Sequence, residues 1–450
     1  MHYLPLTPQD EQKILKTLGV SSFAELIDKI IPQEIQFKGN IGLPSPVPEI
    51  EIRKILKTIA DMNYNTNDFI SFLGAGIYDH YIPAIIDSII SRSEFYTAYT
   101  PYQAEVSQGT LQTIFEYQTA ICELTGMEVA NASMYDGGSA LAEACHMACS
   151  INNKKKIILS ELIHPFYQRV VRTYTKECGV EIVICPARHG MLDLEALEGL
   201  MDEKTSCVGV QHPNFYGCLE SMHEISEIVH KKGALFISVV DPISLGVIAP
   251  PGEYGADIAV GEGQGMGIAQ GFGGPLLGIF ATKMEFVRQM PGRVVGETVD
   301  VDGKRGFVLT LQTREQHIRR EKATSNICTN EALCALSSLI YLCTMGRQGI
   351  IEVGTQCLAK SHYLYNKIIG LEGIKPLFKT EFFKEFVIET NKPAQKIVER
   401  LLDYKIFGGV PLSQFNNSLE NHLLIAVTEK RSEEELNYFV DALKKVISSL

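Results

Sequence analysis

Apolar positions recurring with helical spacing predict helices at about 8–19 and 47–62 near the start of the chain. Thr7-Pro8 followed by Asp10 and Glu11 has the form of a helix start: a hydroxyl cap, proline in the first turn, and acids at the positive end of the dipole. Between the two helices QFKGNIGLPSPVP reads as a loop punctuated by proline and glycine. From about residue 80 the pattern lengthens into amphipathic helices at 80–91, 107–125 and 139–151. Short β-rich runs then alternate with helical stretches: KIILS (156–160), EIVIC (181–185), TSCVGVQ (205–211), ALFISVV (234–240), DIAV (257–260) and PLLGIFA (275–281). This alternation implies βαβ crossovers and a mostly parallel sheet buried on both faces, with ligands at the carboxyl ends of its strands. A long helical stretch (330–370) leads into strands near 385–390 and 422–428 and a last helix from about 431. The expected organisation is an N-terminal helical extension (1–79), a large α/β domain (80–330) and a small C-terminal α+β domain (331–450).

Composition narrows the class. The 450 residues are 45% hydrophobic and 21% charged, enough for a large core. The net charge of −12 and the absence of any basic run longer than Lys154-Lys155-Lys156 argue against nucleic acid or an anionic membrane as partner. Eleven cysteines contain no CxxC pair, and several lie within apolar patterns, which favours reduced core thiols over disulfides or a zinc site. The N-terminus lacks the charged and apolar regions of a secretory signal, and no apolar run has transmembrane length. A cytoplasmic protein is expected.

The segment GEGQGMGIAQGFGGPLLG (261–278) is the strongest site signal, with eight glycines in eighteen residues and no lysine. Glycine allows close backbone approach at an entropic cost, so such a loop implies a ligand or a second chain nearby. It fails the dinucleotide pattern, because triplets started at Gly261, Gly263 or Gly265 end on Met266, Ile268 or Gln270. The only Gly-Lys pair, Gly303-Lys304, is followed by arginine and makes no P-loop.

Four further segments carry candidate chemistry. In NASMYDGGSALAEA (131–144), Gly137-Gly138-Ser139 opens a predicted helix, a geometry suited to an anion or to a plain cap by Asp136 or Ser139. TAYTPYQAEVSQG (97–109) gathers Tyr99, Thr100, Tyr102, Gln103 and Ser107, which suits a substrate, an interface or a packed loop. Asp241 ends a strand, where it suits either a protonated ring nitrogen or a turn cap; His164 and His212 suit stacking on a planar group or a satisfied loop position. HIRREKATSNICTNEAL (317–333) places Arg319, Arg320 and Lys322 beside Ser325, Asn326 and Thr329, either a solvated turn or an anion and docking site.

Together, TPYQAEVSQG, NASMYDGGSALAEA, the glycine loop and HIRREKATSNICTN resemble the glycine cleavage system P-protein family, the decarboxylating glycine dehydrogenases. The similarity runs from the first helix to the end and is strongest to the alpha subunit of the two-subunit bacterial form. It implies the pyridoxal-phosphate-dependent transferase fold (aspartate-aminotransferase-like, fold type I). In the catalytic half of that family a His-Lys pair follows the strand opened by Asp257, and counting the same way reaches Gln264-Gly265. The resemblance therefore implies that pyridoxal phosphate sits on a partner beta subunit (subunit 2), with this chain inactive alone. Lipoylated H-protein would accept the aminomethyl group, and an alpha2-beta2 assembly is implied. Tyr99, Tyr102, Gln103 and Ser107 would lie near the shared site. Gly138, Ser139, His164, Asp241, Gly263, Gln264 and Gly265 would form a remnant cofactor pocket, with Asp241 at the ring-nitrogen position. A self-sufficient enzyme using Lys283 or Lys322, and a pure scaffold, are the competing readings.

Overall fold

The computed structural model describes residues 6–323, 325–327 and 329–450. It divides into two compact units, Met1–Tyr64 and Asn65–Leu450. The first contains three helices, α1 (Pro8–Thr17), α2 (Phe23–Ile30) and α3 (Glu49–Ala60). Thr7 and Asp10 form a reciprocal capping box at the start of α1, which satisfies backbone donors left free there. Helix α2 lies outside the two helices expected here, although Ser22 and Glu25 carry the same kind of start signal as Thr7 and Asp10.

The second unit is built on a seven-stranded sheet. Its strands are β1 (Val129–Ala130), β2 (Lys156–Ser160), β3 (Glu181–Cys185), β4 (Thr205–His212), β5 (Leu235–Val240), β6 (Ile258–Glu262) and β7 (Gly278–Thr282). In space they run β1-β7-β6-β5-β4-β2-β3. The pairings among β2 to β6 are parallel, whereas β7 lies antiparallel to both β6 and β1. The glycine loop is thus the connection between two antiparallel neighbours, not a crossover. Along β6 the pleat sends successive residues to opposite faces: Ala259 faces one core while Ile258 and Val260 face another. The first core includes Ile121 of helix α4 (Gln108–Thr125), and the second includes Leu141 and Ala148 of helix α5 (Gly137–Asn152). Apolar contact on both sides explains why the strand sequences read as nearly continuous hydrophobic runs.

Past β7 a hairpin, β8 (Val294–Val299) with β9 (Arg305–Thr310), turns at Asp302-Gly303. Helix α6 (Ala332–Ile368) follows and is interrupted at Gly346, whose φ of 58° favours glycine. Leu339 and Tyr341 before the interruption join the core against the large sheet; Leu364 and Ile368 after it join the core of a smaller sheet. That sheet, β10 (Ile374–Pro376), β11 (Glu385–Thr390), β12 (Val410–Pro411) and β13 (His422–Ala426), has the order β10-β11-β13-β12 and is antiparallel. Helix α7 (Glu433–Ser449) packs on it through Phe439, Leu443 and Val446. Residues Ile70–Ser71 pair in parallel with Ile406–Phe407, so the segment before residue 81 runs beside the elements of the small sheet before reaching the large one. Among the described residues no helix is long and apolar enough to cross a membrane.

Candidate functional site

The carboxyl ends of β5 and β6 bring together Asp241, Glu262, Gln264 and Gly265, where a parallel sheet presents its ligand site. The loop after β6, where the resemblance expects a Schiff-base lysine, contains no lysine in residues 261–278. Space is also short. A Cβ placed on Gly265 would lie 3.0 Å from Cδ2 of His80 and 3.5 Å from Ile243. Gly267 has a φ of 82°, and a Cβ there would meet Ile86 at 2.5 Å, so this turn accepts only glycine without rearrangement.

Gln264 is almost fully buried and works as a buckle for the backbone. Its amide oxygen accepts from the Tyr78 N–H at 2.9 Å, and its amide nitrogen donates to the carbonyls of Tyr78 at 3.1 Å and Ile268 at 2.7 Å. Gly263 donates to the Leu277 carbonyl at 2.7 Å and leaves no room for a side chain, because a Cβ would contact Leu277 at 2.8 Å.

Gly137-Gly138-Ser139 opens α5, as the sequence implies. Asp136 and Ser139 cap the helix reciprocally, with Asp136 Oδ1 accepting from the Ser139 N–H at 2.7 Å. The Gly137 N–H, a donor suited to an external anion, instead meets Glu262 Oε2 at 3.0 Å. The other oxygen of Glu262 accepts from the N–H groups of Gln264 and Leu277, each at 3.0 Å. Burial pushes this carboxyl up to about 7, against the three N–H donors that pull it down. The Tyr167 ring closes over the same turn: a Cβ on Gly137 would meet its hydroxyl at 2.6 Å.

His164 does stack, but on Tyr167, with ring centroids 4.9 Å apart and planes within 23°. Its Nδ1 accepts from the Phe166 N–H at 3.0 Å and its Nε2 donates to the Ala75 carbonyl at 3.0 Å. Burial lowers its pKa to about 4, consistent with a neutral ring that uses both nitrogens. His212 accepts from the Glu220 N–H at 3.0 Å and is likewise held low, at about 4, by burial.

Asp241 accepts from the Ile243 N–H at 3.1 Å, the turn cap that its position allowed. Its second oxygen holds the ammonium of Lys384 at 2.7 Å. Lys384, fully buried, lies immediately before β11 of the small sheet. No sequence signal linked it to Asp241, because strand pairing and domain packing alone bring the two positions together. Lys283, the competing lysine, bonds Asp257 at 2.5 Å, before the start of β6 and hence at the end of the sheet opposite the pocket. Lys322 lies exposed in a 3₁₀ turn. Neither supports a self-sufficient site.

The loop 97–107 is a surface feature. Tyr99 and Tyr102 are 75% and 66% exposed, Gln103 is exposed and Ser107 half-buried. Arg293 fixes the loop by donating to Thr100 Oγ1 at 3.2 Å and lying 5.5 Å above the Tyr102 ring. In the 317–330 motif Thr324 and Cys328 lie outside the described residues. Arg319, Arg320 and Lys322 are exposed, while Asn330 donates to the Ala132 carbonyl and Ser133 Oγ at 3.2 and 3.1 Å. The ten described cysteines are all free of disulfides.

A family model described as glycine cleavage system P-protein matches residues 1–443. A probable glycine dehydrogenase (decarboxylating) subunit 1 from Carboxydothermus hydrogenoformans is 53% identical over 98% of this chain and 99% of its own. The protein of that name from Chloroherpeton thalassium is 51% identical over 99% of this chain and all of its own. A crystal structure of glycine decarboxylase (P-protein) of the glycine cleavage system, in inhibitor-bound form, superposes with a TM-score of 0.92 at 43% identity, covering 99% of this chain and 100% of that one. A NifS-like protein at 14% identity shares the fold alone, with a TM-score of 0.64 over 85% of this chain and 100% of its own.

Proposed function

This chain belongs to the glycine cleavage system P-protein family as its subunit 1, and we propose on that premise that it is the half of a two-chain glycine decarboxylase that does not anchor the cofactor. The observation carrying this reading is that residues 261–278 hold no lysine, and that Gly265, where the resemblance places the Schiff-base lysine, packs against His80. The residues of this pocket therefore do not fit covalently held pyridoxal phosphate.

In this reading pyridoxal phosphate resides on the partner beta subunit (subunit 2), where it supplies an electron sink for the charge left at glycine when CO₂ departs. Lipoylated H-protein accepts the aminomethyl group, and the complex, an alpha2-beta2 assembly, works in the cytoplasm. Tyr99, Tyr102, Gln103 and Ser107 face the partner's site. Their support is exposure combined with order: Tyr99, Tyr102 and Gln103 are exposed, and Arg293 holds the loop through Thr100 and the Tyr102 ring.

Glycine-dependent exchange of labelled bicarbonate tests the proposal, with pyridoxal phosphate and lipoylated H-protein present. Exchange only when this chain is mixed with its beta partner supports it. Exchange by this chain alone overturns it.

A further inference from the structure

The pocket at the ends of β5 and β6 holds a buried charge network that joins the two domains of residues 65–450. Lys384 has three N–H donors and no acceptor. They are met by Asp241 Oδ2 at 2.7 Å, by His80 Nε2 at 2.9 Å and by the face of Tyr78, 3.5 Å from the ammonium to the ring centroid. Because Nε2 accepts from an ammonium, the ring proton of His80 sits on Nδ1 and is donated to Glu429 Oε2 at 2.6 Å. Glu429 also accepts from the Tyr81 N–H at 2.6 Å. Glu385, next to Lys384, accepts from the Tyr78 hydroxyl and the Ala75 N–H, both at 2.8 Å. Asp79 completes the line with Lys430 at 2.7 Å and Arg431 at 3.0 Å.

Every partner on one side of these links belongs to the small domain: Lys384, Glu385, Glu429, Lys430 and Arg431. On the other side stand Asp241 of the large sheet and the segment 75–81, which Gln264 buckles to the glycine loop. Opening would exchange the close Lys384–Asp241 attraction and the directed bonds around the ammonium for solvation by water, whereas deleting either partner in the closed form leaves the other charge buried and unpaired, which is strongly unfavourable.

We propose that Lys384 is a built-in occupant of the degenerate cofactor pocket: its ammonium takes the place of a protonated ring nitrogen against Asp241 and clamps the small domain closed. The pocket, closed in this way, admits no external cofactor, and the chain presents a fixed surface to its partner. This inference rests on the reading of the pocket as non-anchoring.

The test compares wild type, Lys384→Ala and Asp241→Asn as full chains in complex with the beta partner, by backbone hydrogen exchange. Both variants should exchange at least about tenfold faster over residues 75–81 and 384–390, and the double variant should exceed neither single one by much. Propylammonium, which matches the atoms deleted in Lys384→Ala, should restore protection to that variant and not to Asp241→Asn; propanol should restore neither. If Lys384→Ala does not fold, Asp241→Asn, which preserves shape, is read alone. Wild-type exchange in the folded variants would overturn the clamp. A cofactor trapped on a lysine of the wild-type chain would instead overturn the functional reading, and so the two failures are distinguishable.

Discussion

The His80 imidazole lies against the α-carbon of Gly265: a methyl group built there would sit 3.0 Å from its Cδ2. In the proposed reading, the missing family lysine is therefore more than a missing amino group. The volume through which that side chain would leave the backbone belongs to a histidine that is itself fixed between Lys384 and Glu429.

Gly265→Lys should consequently fail to create a cofactor site. The inserted side chain must displace His80 from a packed pocket, and we expect a loss of about 1–3 kcal/mol in stability, typical of overpacking. Denaturant titration measures the loss. Borohydride trapping of pyridoxal phosphate on residue 265 would show that the pocket is more accommodating than its packing implies.

Gln264→Leu keeps the volume of the buckle and deletes its polar atoms. The Tyr78 N–H, the Tyr78 carbonyl and the Ile268 carbonyl then lose their partner inside the protein, at a cost of about 2–5 kcal/mol. The thermal midpoint should fall accordingly; an unchanged midpoint would mean that these groups find other partners.

Glu262 sets a pH dependence. Its folded-state pKa, raised by burial to about 7 from 4.5, means that the folded chain holds this proton more tightly than the unfolded one. The associated stability is present in full below about pH 4.5 and is lost as pH rises through about 7, an effect on the order of 3 kcal/mol. Glu262→Gln should flatten that part of the profile in denaturant titrations between pH 5 and 8. An equal slope in both proteins would assign the titration elsewhere.

Tyr99→Ala and Gln103→Ala concern only the exposed loop. Each should leave the isolated chain within about 0.5 kcal/mol of wild type, as exposed substitutions generally do. Bicarbonate exchange by the complex should drop at least about tenfold, the equivalent of about 1.4 kcal/mol in the barrier. Full exchange activity with normal assembly would remove these residues from the shared site.

Much of the architecture was legible from hydrophobic patterning. EFVIET coincides with the strand Glu385–Thr390, and KIILS and EIVIC with two strands of the large sheet. The hairpin Val294–Thr310 was missed despite its Asp302-Gly303 turn: only Val294, Val295 and Phe307 are buried, too few apolar positions to set a clear period. The helix expected at 80–91 begins at Ala84, after Pro83, which leaves His80 in the extended segment that enters the pocket. The absence of lysine from the glycine loop was readable, and so was the place of Asp241 at a strand end, including the turn cap it makes with Ile243. Lys384, Glu429 and Tyr167 were not, because each reaches the pocket only through tertiary packing, and a lysine or tyrosine in isolation carries no signal of where its side chain ends.

The most direct test of the account is to locate the cofactor. The assembled complex, supplied with pyridoxal phosphate, is reduced with borohydride, digested and read by mass spectrometry. The phosphopyridoxyl label is expected on a single lysine of the partner chain and on none of this one. A stoichiometric label on Lys384, or on any other lysine of this chain, would contradict it.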